Sequence, residues 1–299
     1  ESTAAIMMAA ADILKIHLNI IPQIYPKLCV SQNFSQKNSY LCMIDINKNM
    51  TSISNNEIKK VKALQQKKFR DEMGLFIVEG EKMVEEAVRS GFKVEKIYRT
   101  EDIGAEAMSR ISSLSSPSPV LAVVKKPSDI YVEDASAFDG RLSEGGLYLA
   151  LDTIRDPGNL GTILRVADWF GIDAVFATHD TVDVFNPKVV QATMGAVFRM
   201  KMHYLDLPDL SELVLRKGGK VYGTFLDGMN MYERELDNGS GSPVVIVIGN
   251  EANGISPQME ALVSDRLYIP PYPADSPGSE SLNAAIAAAV TIAEFRRRK

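Results

Sequence analysis

The chain has 299 residues, 45% hydrophobic and 24% charged, which is enough for two packed domains and lies outside the range of disordered or fibrous sequences. Its formal net charge of -5 excludes a protein coated all over in basic residues, but leaves room for a local basic face that meets nucleic acid. Cys29 and Cys42 both precede residue 50, and the three histidines (His17, His179, His203) are scattered, so no disulfide framework and no metal centre is expected; a reducing, cytoplasmic setting follows.

Residues 1–54 read as an extension, disordered or non-native, with Met50 as an expected start. The first 50 residues contain none of the chain's 20 glycines, and an alanine-rich apolar run passes into a segment of Asn, Gln and Ser. Asp12, Lys15 and His17 interrupt the apolar run, so a membrane span is not expected. Neither the charge pattern of a secretory signal nor the arginines of a transit peptide are present.

From residue 57 the run Glu-Ile-Lys-Lys-Val-Lys-Ala-Leu-Gln-Gln-Lys-Lys-Phe-Arg places Ile58, Val61 and Leu64 at helical spacing beside a basic face. Lys59, Lys60, Lys67, Lys68 and Arg70 are either a solvated helix surface or an arm that contacts phosphate. A strand at 75–78, a helix at 82–90 ending at Gly91, a strand at 94–98, a helix at 105–114 and a strand at 120–124 complete a small α/β domain, assigned to 55–140. Asp139-Gly140 and Glu144-Gly145-Gly146 mark its boundary with a second domain at 144–299.

In that second domain short apolar strands at 147–151, 174–177, 221–225, 244–248 and 267–269 alternate with helices, which implies a mainly parallel sheet covered on both faces. Ligands bind such sheets at the carboxyl ends of the strands. Three loops stand there. The first follows strand 147–151 and reads Asp-Thr-Ile-Arg-Asp-Pro-Gly-Asn-Leu-Gly-Thr-Ile-Leu-Arg, in which Asn159 is placed to cap a helix that carries Arg165. The second follows strand 244–248 and reads Gly-Asn-Glu-Ala-Asn-Gly, setting Glu251 between Gly249 and Gly254. The third begins Ile269-Pro270, is stiffened by four prolines, and ends Ser281-Leu282-Asn283 before an alanine-rich helix at 284–294. Neither GxGxxG nor GxxxxGK[ST] occurs, which weighs against nicotinamide enzymes and nucleoside triphosphatases.

In this order the three loops resemble the three motifs of the SpoU (TrmH-like) RNA 2'-O-ribose methyltransferases of the SPOUT superfamily, over the segment from about residue 147 to the end. Asn159 and Arg165 match motif one, Gly249, Glu251 and Gly254 motif two, and Ile269-Pro270 with Ser281-Leu282-Asn283 motif three. The stretch between the two halves of motif three, 271–280, is longer than the short glycine-containing stretch usual in the family. The segment from Phe76-Ile-Val-Glu-Gly80 onward resembles the small L30e-like RNA-binding domain that many members carry in front, which implies RNA contact for Lys59, Lys60, Lys67, Lys68 and Arg70 of the basic helix.

The resemblance implies a deep trefoil knot, a homodimer with its site near the subunit interface, and methyl transfer from S-adenosylmethionine to a ribose 2'-hydroxyl. It implies Gly249, Ile269 and Leu282 as cofactor contacts made largely through backbone, with Thr224 at the end of the preceding strand as a further one. Arg165 would clamp phosphate and the developing alkoxide, since arginine, with a pKa above about 12, is a poor base. Asn159 would orient Arg165 or the ribose, Glu251 would hold Arg165 or Asn159, and Ser281 and Asn283 would supply hydrogen bonds. Ribosomal RNA is the first expected substrate and transfer RNA the second; a catalytically silent RNA-binding assembly factor of the same fold is the alternative from another class.

Overall fold

The computed structural model describes residues 53–237, 241–273 and 281–297, so the expectation for the extension lies almost wholly outside the described residues. The basic segment opens the fold as two helices, α1 (Asn55–Ala63) and α2 (Lys67–Met73), where the sequence pattern suggested one. Ser54 caps α1 by accepting from the Glu57 amide, and Ile58, Val61 and Leu64 are buried as their spacing requires. The chain breaks at 64–66 because the Arg70 guanidinium folds back onto the carbonyls of Leu64 (3.0 Å) and Gln65 (2.9 Å), which a continuous helix would have used internally.

A three-stranded sheet follows, built from β1 (Leu75–Glu79), β2 (Val94–Arg99) and β3 (Val120–Lys125), with β3 in the middle and antiparallel to both neighbours. Helix α3 (Glu81–Arg89) joins β1 to β2; the short α4 (Thr100–Ile103) and α5 (Ala105–Ile111) lead to β3. Alternation along the strands sorts the side chains to two faces. Ile77, Leu121 and Val123 pack with Ile58, Val61, Leu64, Met108 and Ile111, whereas Phe76, Val78, Ala122 and Val124 join Met83, Val84 and Ala87 in the main core.

The second sheet has six strands, all parallel, in the order β6-β5-β4-β8-β7-β9. They are β4 (Leu147–Leu151), β5 (Ala174–Ala177), β6 (Met202–Tyr204), β7 (Lys220–Asn230), β8 (Val244–Ile248) and β9 (Asp265–Tyr268). The helices are α6 (Pro157–Trp169), α7 (Pro187–Thr193), α8 (Leu207–Arg216), α9 (Pro257–Glu260) and α10 (Ala284–Arg297). Strands β4 and β8 are buried at every residue, as continuous apolar runs in a doubly covered parallel sheet should be. Leu149, Ile246 and Ile248 face the core that holds α6, α7 and α10; Tyr148, Ala150, Val245 and Val247 face α8. The alanines of α10 (Ala284, Ala285, Ala288) are buried, and small side chains there let α10 pack against α6.

Two strands differ from the expected ones. Strand β6 was not anticipated, and β7 runs on to Asn230 through an irregularity in its pairing with β9 between Thr224 and Met229. The fold reading of a small α/β domain ahead of a parallel-sheet domain holds, and the described residues pack as one compact unit. Of the C-terminal segment whose resemblance implies a knot, residues 274–280 and 298–299 lie outside the described residues. Among the described residues no helix is long and apolar enough to cross a membrane.

Candidate active site

The chain leaves β4 for β5 and β6 on one side and later returns to β8 on the other, so the carboxyl ends of β4 and β8 form a topological switch point. Asp152, buried at the end of β4, accepts the Ser256 amide at 2.7 Å and so ties the loop after β8 to the loop after β4. Thr153 follows with a positive φ of 63°, its amide donating to the Thr178 hydroxyl beyond β5 at 2.9 Å. Asn250 donates through Nδ2 to the Thr153 carbonyl (2.9 Å), while its Oδ1 accepts the amides of Ala252 and Asn253. Asp152 and Asn250 were not singled out in the sequence, although each directly follows a predicted strand or its first glycine.

Glycine is required at 249. A Cβ there would lie 2.4 Å from the Gly254 carbonyl carbon and the Ile255 nitrogen, so any side chain forces the loop's two arms apart. Gly254 itself has φ of 69°, and the backbone pairs of Asn250 and Gly254 close the turn, presenting Glu251 at its tip.

The cap of α6 is Asp156 and not Asn159. Pro157 occupies the first helical position, and the Asp156 carboxylate accepts the Asn159 amide at 2.8 Å. The Asn159 side chain is thereby free for a different task. Its Nδ2 donates to Glu251 Oε1, and its Oδ1 accepts from Asn283 Nδ2 at 2.8 Å. Asn283 in turn accepts the amides of Ala285 (3.0 Å) and Ile286 (3.3 Å) on Oδ1, which starts α10. One side chain from each of the three loops is therefore joined in a single hydrogen-bonded row, in which Glu251 holds Asn159.

Arg165 stands apart from this row. Six residues along a helix turn about 600°, which leaves it roughly 120° around the axis from Asn159. It is exposed and makes no hydrogen bond or ion pair among the described residues. Trp169, one turn further on, is 85% exposed. Of the residues expected at the cofactor, Gly249 and Ile269 directly follow the strands β8 and β9, Leu282 precedes α10, and Thr224 lies within β7, where its pairing with β9 becomes irregular, and not at the strand's end. The Thr224 hydroxyl donates to the Val247 carbonyl at 3.5 Å; Ile269 is half-buried, whereas Leu282 is 47% exposed and Ser281 is exposed. Apolar side chains beside glycine backbone at strand ends suit an adenosine-bearing ligand held through main-chain groups.

In the basic segment, Lys59 and Lys60 are exposed, Lys67 pairs with Asp71 at 2.7 Å, and Lys68 is 74% exposed near Glu72. Arg70 is a correction. Its side chain is 1% exposed, with Nε and Nη2 donating to Asp183 Oδ2 at 2.9 and 2.6 Å, so it is a strut between α2 and the loop after β5 and cannot reach RNA.

Both sheets fall within segments that resemble known proteins. Residues 146–293 match the SpoU rRNA Methylase family, and residues 55–127 match the MRM3-like substrate binding domain. The chain is 30% identical over 264 residues to the 23S rRNA (guanosine(2553)-2'-O)-methyltransferase RlmP of Bacillus subtilis, covering 83% of this chain and 99% of that protein. Among solved structures it resembles a putative RNA methyltransferase of the TrmH family from Porphyromonas gingivalis, with 37% identity, TM-score 0.71, and coverage of 83% of this chain and all (100%) of that one. It also resembles the AdoMet-bound rRNA methyltransferase from Sinorhizobium meliloti, with 30% identity, TM-score 0.72, and coverage of 83% and 97%. With both sheets matched and the three loops joined at the switch point, the chain belongs to the SpoU rRNA methylase family.

Proposed function

We propose that this protein transfers the methyl group of S-adenosylmethionine to a ribose 2'-hydroxyl in ribosomal RNA. The observation that carries the reading is the row Glu251–Asn159–Asn283, which joins all three loops where the sheet reverses its strand order. The relative in Bacillus subtilis is a 2'-O-methyltransferase of 23S rRNA, which supports ribosomal RNA as the substrate class.

S-adenosylmethionine, when bound, supplies a methyl on a sulfonium, and the departing thioether is neutral and needs no acid. The protein's part is to align the hydroxyl in line with that methyl and to manage its proton. Asn159, immobilised by Glu251 and Asn283, orients the ribose. Ser281 and Asn283 add hydrogen bonds to substrate or cofactor, and the backbone of Gly249, Ile269 and Leu282, with Thr224, holds the cofactor. Arg165 clamps phosphate and the developing alkoxide, while the substrate phosphate or a water accepts the proton.

The separation of Arg165 from the Asn159 row supports a site completed at the interface of a homodimer. Exposed Trp169 on α6 and Ile286 on α10, 85% and 50% exposed on two helices packed together, offer the apolar surface such an interface needs. Residues 55–140, with Lys59, Lys60, Lys67 and Lys68, form the substrate-binding part, residues 144–299 form the knotted methyltransferase part, and the cytoplasm is the compartment.

Alkaline hydrolysis tests the activity, because a 2'-O-methyl group blocks cleavage at its own phosphodiester. Ribosomal RNA transcripts incubated with protein and S-adenosylmethionine should gain one alkali-resistant position. Resistance confined to transfer RNA would move the reading to that substrate, and resistance in neither would overturn it.

A further inference from the structure

The segment that links the two sheets does more than connect them. Its residues 130–132 lie alongside β6, with the Tyr204 amide donating to the Ile130 carbonyl (2.7 Å) and the Val132 amide donating to the Tyr204 carbonyl (2.9 Å). This places Tyr131 at the carboxyl end of β6. Its ring centroid is 5.2 Å from the Tyr204 ring, inclined by 29°, and 6.3 Å from the His179 ring, inclined by 17°. Tyr204 anchors the group: its buried hydroxyl accepts the Val184 amide and donates to the Val182 carbonyl.

The three rings thus run nearly parallel from the core outward. Tyr131 is 38% exposed and His179 is exposed. The ammonium groups of Lys67 and Lys126 each lie 5.3 Å from the Tyr131 centroid, and Asp71 pairs with both, at 2.7 and 2.5 Å. Lys67 connects the cluster to the basic helices. On the other side, His179 follows β5, the strand next to β4, and Thr178 accepts the Thr153 amide at the entrance to the loop that carries Asn159.

An exposed ring backed by parallel aromatic neighbours, beside cations and on fixed backbone, is the arrangement on which unpaired bases stack. None of the groups in the Asn159 row depends on it. We propose that His179, supported by Tyr131, is a stacking platform for an unpaired base of the RNA near the nucleotide being methylated. This rests on the RNA methyltransferase reading and adds a base-binding subsite to it.

His179 is the residue to vary, since Tyr131 packs against Tyr204 and its loss would disturb the join between the sheets. Full-length protein carrying His179→Ala, His179→Trp or His179→Lys is titrated with a labelled single-stranded oligoadenylate and with a ribosomal RNA fragment. S-adenosylmethionine binding and thermal unfolding are followed in parallel. His179→Ala should weaken both RNAs about ten-fold, the order expected of one lost base stack. His179→Trp should restore affinity and His179→Lys should not, with cofactor binding and unfolding unchanged throughout. Wild-type affinity in His179→Ala, restoration by lysine but not tryptophan, or no binding of either RNA by the wild type would each overturn the platform. Absence of methyl transfer by the wild type, with the stacking pattern intact, would instead count against the methyltransferase reading alone.

Discussion

Arg70 separates a structural role from an RNA-binding one most cleanly. Replacing it with alanine leaves Asp183, whose side chain is 3% exposed, without its cation and removes the bonds to Leu64 and Gln65 that end α1. Breaking a buried ion pair by deleting one partner costs about 3–5 kcal/mol, because the remaining charge stays desolvated. For a unit of this size each kcal/mol lowers Tm by about 2–4 °C, so Arg70→Ala should melt roughly 6–20 °C below the wild type. Arg70→Met combined with Asp183→Asn removes both charges and should recover a large part of that loss. Differential scanning calorimetry measures both, with Lys68→Ala as the exposed comparison, expected to weaken RNA binding at unchanged Tm. A Tm shift below about 3 °C for Arg70→Ala, together with loss of RNA affinity, would refute the burial argument.

The remaining expectations follow from single contacts. Gly249→Ala, whose Cβ meets backbone at 2.4 Å, should abolish S-adenosylmethionine binding in calorimetry while the fold still melts cooperatively; undiminished affinity would remove this loop from the cofactor site. Asn159→Asp sets a second carboxylate against Glu251 and should lower kcat about 100-fold with little change in cofactor affinity, as expected when a positioning group is displaced. The hydrogen bond from Lys96 at 2.5 Å, with a further one from Tyr98 at 2.8 Å, holds the Glu57 carboxyl below the ordinary glutamate range. Its stabilising effect is therefore complete above that range and is lost as pH falls through the lowered value. Urea denaturation of wild type and Glu57→Gln should differ at pH 7, begin to converge as pH falls past about 4, the region of an ordinary glutamate pKa, and meet only below the lowered value.

What could be read from the sequence was whatever a local pattern encodes. The apolar runs of β4 and β8, the alanines of α10 and the three motif loops all announce themselves within a dozen residues. Strand β6 did not, being only Met202–Tyr204 with His203 at its centre, bonded through Nδ1 to the Asp129 carbonyl. The break between α1 and α2 was equally hidden. It depends on Arg70 meeting Asp183, 113 residues away, and a basic residue bound for the core looks in sequence like its exposed neighbours Lys67 and Lys68. The cap of α6 was legible in Asp156-Pro157, since proline at the first helical position makes the preceding residue the cap. Glu251 had two readings as a partner of Arg165 or Asn159, and only the packing of loops from distant strands decides for Asn159.

The central claim is that three loops joined through Asn159 carry out methyl transfer to a ribose. Mass spectrometry of nucleosides released from ribosomal RNA, after reaction with the purified protein and isotopically labelled S-adenosylmethionine, tests it directly. The account predicts label in a 2'-O-methylated nucleoside, incorporated about 100-fold more slowly by Asn159→Asp. Label on a base, or no label from protein that binds the cofactor, would contradict it.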